Sequence, residues 1–91
     1  MFTYDFSERL RKRLNKLSKK DRILALIIKK KIIEVVNRDK KGIDLYKNLK
    51  SPMNEFKRIH LTGSFVLLFW VDKKDERIIF YDIIHWDNAY S

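Results

Sequence analysis

"FKRIHLTGSFVLLFWVDKKDERIIFYDII", residues 56–84, decides the fold. It holds three apolar runs rich in aromatic and β-branched residues, roughly Phe56–Leu61, Ser64–Val71 and Arg77–Ile84. A glycine-containing turn separates the first two, and the polar loop "DKKDE" separates the last two. Runs of this kind bounded by turn residues predict strands, and their short connections predict an antiparallel meander. The turn "LTG" before Ser64 fits a three-residue hairpin loop with Gly63 left-handed, which sets His60 opposite Ser64 and Arg58 opposite Val66. Side chains alternate along a strand, so Arg58, His60, Ser64, Val66 and Leu68 share one face, and Ile59, Phe65, Leu67, Phe69 and Val71 the other. The second set is uniformly large and apolar and should face the rest of the core. The first carries the polar groups and should face outward.

Upstream lie the elements that cover this meander. "MFTYDF" alternates and reads as a short first strand. Ser7 is a good helix N-cap, and Glu8 suits a first turn. Phe6, Leu10, Leu14 and Leu17 then recur at helical spacing, leaving Arg9, Arg11, Lys12, Arg13 and Lys16 on the solvent side. "LSKKDR" punctuates the chain, and Ser18 or Asp21 can cap a second helix running to about Asn37. That helix is apolar over more than one stripe, so it is wedged against the sheet or offers a face to a partner. "RDKKGIDLYKNLKSPMN" is a connector, with Gly42 and Pro52 barring helix continuation. The order is β-α-α-β-β-β. It predicts a single α+β domain over residues 1–91, with two N-terminal helices packed on one face of a mostly antiparallel twisted sheet.

The chain has no cysteine and carries 21 Lys/Arg against 12 Asp/Glu, a formal net charge of +9. Residues 1–41 hold 14 of those cations and 5 of the anions, so the whole excess sits in the first half. A field of this sign attracts polyanions. No apolar run approaches the roughly 18 residues of a membrane helix, and the start lacks the order of a signal peptide. These features predict a soluble cytoplasmic protein without a membrane partner. There is no phosphate-binding glycine loop, zinc-ligand spacing or nucleophile elbow, so neither a metal nor a cofactor is called for.

The two histidines are the groups whose ordinary pKa lies near neutrality. The first and third strands of a meander run the same way, so Leu61 and Ile84 point to one rim, and His60 and His85 should converge there. The chain closes on "HWDNAYS", which adds Trp86, Asp87 and Tyr90, while Lys57 and Arg58 stand beside His60. Such a set suits cleavage of RNA by its own 2′-hydroxyl, which needs a base, an acid and cations for the phosphorane charge. Aromatic rings can stack on an unpaired base. Packing of Trp86 and Tyr90 onto the sheet is the alternative use of those rings.

The pattern resembles the RelE/ParE superfamily of toxins from toxin–antitoxin pairs. "YDFSERLRKRLNKL" is similar to its opening strand and capped helix, "NLKSPMNEFKRIHLTGSFVLLFWVD" to its central segment, and "IIFYDIIHWDNAY" to its closing strand. "RIH…GSFVLLF" and "HWDNAY" are similar to a histidine-bearing branch that includes the YafQ and YoeB toxins. The resemblance implies a ribosome-dependent mRNA endonuclease working by metal-independent 2′-hydroxyl transesterification. His60, His85, Asp87 and Tyr90 would be catalytic, Lys57, Arg58 and Trp86 would contact RNA, and Arg9, Lys12, Arg13, Lys16 and Lys20 would grip ribosomal RNA. It also implies a cognate antitoxin as partner, with assembly as a homodimer or a heterotetramer. Val66 and Trp86 depart from the family pattern, standing where many RelE-like nucleases carry arginine. They favour a second reading, a gyrase inhibitor of the ParE type or a degenerate toxin kept as an antitoxin-binding module.

Overall fold

The computed structural model describes residues 1–85, and the structural statements below concern those residues. β1 (Thr3–Phe6) runs directly into Ser7, whose hydroxyl accepts the amide of Leu10 at 3.0 Å and caps α1 (Glu8–Lys20). Leu10 is fully buried, with Leu14 and Leu17 packed beside it, as the stripe spacing requires. Of the two candidate caps for α2 (Arg22–Val36), the structure uses Asp21, whose Oδ1 accepts the amide of Leu24 at 3.0 Å. The Ser18 hydroxyl donates back to the Asn15 carbonyl within α1 instead. α2 buries Leu24, Ile28, Ile32, Val35 and Val36 against the sheet but leaves Ile23, Leu26 and Ile33 exposed.

β2 (Lys57–His60), β3 (Phe65–Asp72) and β4 (Arg77–His85) form the expected meander. The sheet order is β1-β4-β3-β2, and β1 pairs parallel with β4 while the other pairings are antiparallel. Two helices on one face of a four-stranded mixed sheet make an α+β fold. No helix among the described residues is long and apolar enough to cross a membrane.

The hairpin loop differs from the sequence expectation by one position on each strand. Leu61 and Phe65 flank a Thr62–Gly63–Ser64 loop, joined by the Leu61 amide and the Phe65 carbonyl at 3.0 Å. His60 therefore lies opposite Val66, and Arg58 opposite Leu68. Gly63 has φ +54°, a left-handed conformation that glycine enters without penalty. Because both strands move by one, every side chain keeps its expected face.

The outer face is a correction to that reading. It is not open: Val66 and Leu68 are buried, with Leu49, Met53, Phe56, Tyr81 and Ile84 around them. The connector lies across this face as a strap and also runs beside β2, where the Arg58 amide donates to the Lys47 carbonyl at 3.0 Å. Phe56 stacks on Tyr81 at 4.8 Å. The strap leaves α2 through Tyr46, whose hydroxyl donates to Glu34 at 2.6 Å and accepts from Arg38 at 3.2 Å.

A register shift between Leu68 and Phe69 puts one extra residue in β4. Phe69 pairs with Phe80, but Leu68 pairs with Asp82. This β-bulge needs outside partners for the groups it removes from the ladder. The Tyr81 carbonyl accepts the Ser7 hydroxyl, and the Ile83 carbonyl accepts Arg13 at 3.3 Å. The Asp82 carboxylate, 4% exposed, accepts the Ile83 amide and faces Arg9 at 3.4 Å and Arg13 at 3.1 Å.

Asp82→Asn lowers the unfolding free energy by about 1–3 kcal/mol, since the half-exposed arginines can turn to water. Arg9→Ala with Arg13→Ala costs more, about 3–5 kcal/mol, because the buried carboxylate loses both cations. Urea midpoints check the order. Tyr46→Phe costs about 1 kcal/mol at neutral pH. Burial first, then the bond to Glu34, raises the Tyr46 pKa. The unfolded phenol ionises first, so this contribution is complete below about pH 10 and fades as pH rises beyond it. Parent and Tyr46→Phe stabilities should converge in alkali.

Candidate functional site

The rim where β2 ends and β4 ends carries both histidines. His60 projects from the outer face, in the row formed by His60, Val66 and Ile84. Its Nε2 lies 2.9 Å from the Gly63 carbonyl, so this nitrogen donates, and in the neutral ring Nδ1 then bears the lone pair. Arg58 stands two residues earlier on the same face, with Nη1 donating to the Asn48 carbonyl at 3.1 Å. The outer rim thus places an imidazole and a guanidinium two residues apart on one face of β2.

His85 lies in the next row, opposite Phe65, and the two rings meet edge to face at 6.0 Å. Adjacent rows point to opposite faces, so His85 projects toward the helices while His60 projects away from them. The bulge is the cause. Continuing the Phe69–Phe80 register without the extra residue would set His85 opposite Ser64, on the same face as His60. The histidines share a rim, as the strand order implied, but they do not converge on one face. The sequence did hold one signal for this: Asp82, a lone carboxylate in the apolar run "IIFYDII".

The remaining expected residues divide into groups. Lys57 points to the face opposite Arg58, and its ammonium binds the Tyr46 carbonyl and Asn48 Oδ1, each at 3.0 Å. It anchors the strap rather than facing a ligand. Arg9, Lys12, Arg13, Lys16 and Lys20 are exposed on α1. At about 100° per residue, Arg9, Arg13, Lys16 and Lys20 form one narrow stripe, with Lys12 beside it. Val66, at the position of a family arginine, is buried beneath the strap. Trp86, Asp87 and Tyr90 lie outside the described residues. Among the described residues, no group of three or more His, Cys, Asp or Glu is placed to hold a metal.

Sequence reasoning missed a cleft of about 230 Å³ on the helix side of this rim, lined by Arg13, Lys16, Leu17, Leu24, Phe65 and Ile83. Phe65 is 40% exposed there, although it belongs to the apolar face, because it lies beyond the cover of the helices. A larger cleft of about 360 Å³ lies between β1 and the helices, with Tyr4, Leu14, Ala25, Lys29 and Ile33 in its walls.

No family model matches the chain. It is 41% identical over 91 residues to the RelE4 protein of Methanocaldococcus jannaschii, named as a toxin, covering 100% of this chain and 93% of that one. Its fold matches RelE in the intact E. coli RelBE toxin–antitoxin complex, with TM-score 0.68 and 24% identity, covering 91% and 94% of the two chains. It also matches E. coli YafQ, with TM-score 0.73, 13% identity and full coverage of both chains. At those identities the solved structures speak for the fold. The archaeal likeness, which spans the whole sequence, reaches further: the chain belongs to the RelE-like toxins of toxin–antitoxin systems.

Proposed function

We propose that this toxin is a ribosome-dependent mRNA endonuclease and that cleavage occurs at the rim carrying both histidines. The observation that supports this most is the placement of His60 beside Arg58 on one face at the end of β2. His60 acts as base or acid at the 2′-hydroxyl or the leaving 5′-oxygen, and Arg58 stabilises the charge that develops on phosphorus. His85, one row further out, serves as the counterpart to a phosphodiester that crosses the rim from one face to the other. Asp87 orients an imidazole or an exposed base, and Tyr90 and Trp86 stack on RNA. The exposed cations of α1 hold RNA phosphates.

The partner is an acidic, amphipathic antitoxin segment. Ile23, Leu26 and Ile33 are exposed on α2; Ile33 and Lys29 line the larger cleft, and Leu26 and Lys29 line a shallower one beside it. Apolar side chains rimmed by lysines suit a helix or strand of opposite charge. β1 is an edge of the sheet and can accept an added strand. RelE-fold relatives from E. coli and Mycobacterium tuberculosis have been solved as toxin–antitoxin complexes.

A specific observation favours a second reading. Buried Val66 supplies no cation at the outer rim, which suits a chain that binds antitoxin or gyrase without cutting RNA.

Cleavage of mRNA on programmed ribosomes separates the two. The nuclease reading expects cutting by the parent, slowed at least about 100-fold by His60→Ala and by His85→Ala. Parental rates in both variants would remove the histidines from the chemistry. Absence of cutting, with inhibition of gyrase supercoiling, would establish the second reading. For the partner surface, Leu26→Glu should weaken antitoxin binding at least about tenfold, measured by calorimetry, and leave cleavage at the parental rate.

A further inference from the structure

We propose that the cleft on the helix side of the rim is a separate subsite for one base of single-stranded RNA, with the flanking phosphates laid along α1. The inference rests on the reading of the chain as an RNA-acting toxin, but it concerns a face of the sheet that the proposed His60–Arg58 chemistry does not use.

The floor is apolar and the mouth is cationic. Leu17, Leu24 and Ile83 line the cleft, Phe65 presents an exposed ring, and Arg13 and Lys16 stand at its edge. Its volume, about 230 Å³, falls below the 300–1,000 Å³ of drug-sized pockets, so it suits a single planar group. An aromatic ring beside such a space is what an unstacked base seeks, and the gain does not depend on base identity. The edge-to-face contact with His85 holds the Phe65 ring from one side.

The cations are arranged rather than scattered. Arg13 forms an ion pair with Asp82 and donates to the Ile83 carbonyl, which fixes its guanidinium at the mouth of the cleft. A guanidinium has five N–H donors, so these two bonds leave others for a phosphate. Arg9, Arg13, Lys16 and Lys20 continue along one stripe about 16 Å long. Together with Lys12, five cations lie on this side of α1, where Asp82 pairs with Arg9 and Arg13 and Glu8 is the acidic residue of the first turn. A polyanion that bears flat, partly apolar groups complements both features at once. An acidic peptide would meet the cations but has no general use for the aromatic wall.

The test is fluorescence anisotropy with a labelled 2′-O-methyl oligoribonucleotide, which cannot undergo attack by its own 2′-hydroxyl, so binding is read without cutting. Phe65→Leu keeps apolar bulk and removes the aromatic face. It should weaken binding about tenfold, while Phe65→Trp binds like the parent. Lys16→Ala should weaken binding and lower the slope of log affinity against log salt by about 0.7, one phosphate contact on a single strand. Parental affinity in Phe65→Leu, or no binding by the parent at all, would overturn the subsite. Loss of binding in Phe65→Leu in a chain that fails to cut mRNA would keep the subsite and sink the nuclease reading. Cutting by the parent with unaltered binding in Phe65→Leu would do the reverse.

Discussion

Among the described residues one carboxylate is buried, and it organises the end of the sheet that carries both histidines. Asp82 sits in the bulge of β4, where an extra residue has broken the ladder, and α1 supplies what the ladder no longer can. Ser7 binds the bulge at the start of the helix, and Arg9 and Arg13 bind it over the next two turns. The ion pairs are the condition on which a charged residue can occupy an inner strand, because an unpaired carboxylate there would carry a heavy desolvation cost. In return the bulge re-aims every side chain after it. Ile83 joins the helix-side core, Ile84 turns to the outer cluster, and His85 crosses to the face opposite His60.

Much of the fold was legible in the sequence because its signals are local. The spacing of Leu10, Leu14 and Leu17 marked a helix face, although Phe6, read with them, belongs to β1; Ser7 and Asp21 are standard caps, and Gly63 marked the turn. Even the misplaced hairpin loop left each side chain on its expected face, since face depends on parity alone. The parts that escaped notice depend on contacts distant in sequence. Alternation counting assumes one residue per ladder position, so it cannot place a bulge, and the position of His85 failed with it. Lys57 looked like a phosphate contact from its neighbours in sequence, but its ammonium is held by the strap. The strap itself has no periodicity, so its sequence did not show which face it would cover.

The two faces of the rim have different supports. The outer face holds Arg58 and His60 above an apolar cluster closed by the connector. The inner face holds Phe65 and His85 beside a helix whose basic stripe is braced by Asp82. A rigid sheet with polar groups on both faces of one end can engage a flexible strand on two sides. The apolar side of α2 and the free edge of β1 lie elsewhere, so a protein partner need not compete for the rim itself.

The strand order also bears on how the chain is made. β4 lies inside the sheet, bonded on one side to β3 and on the other, in parallel, to β1 at the opposite end of the sequence. Among the described strands it is the last to leave a ribosome, and until it does β1 has no strand to pair with. The helices and the β2–β3 hairpin can form early through local contacts, but the sheet closes late, across most of the chain length. The bulge, the Arg9 and Arg13 pairs and both histidine positions all depend on that closure. Before β4 emerges, the ribosome that synthesises this toxin therefore carries only an unassembled precursor, in which neither histidine has yet found its place in a sheet.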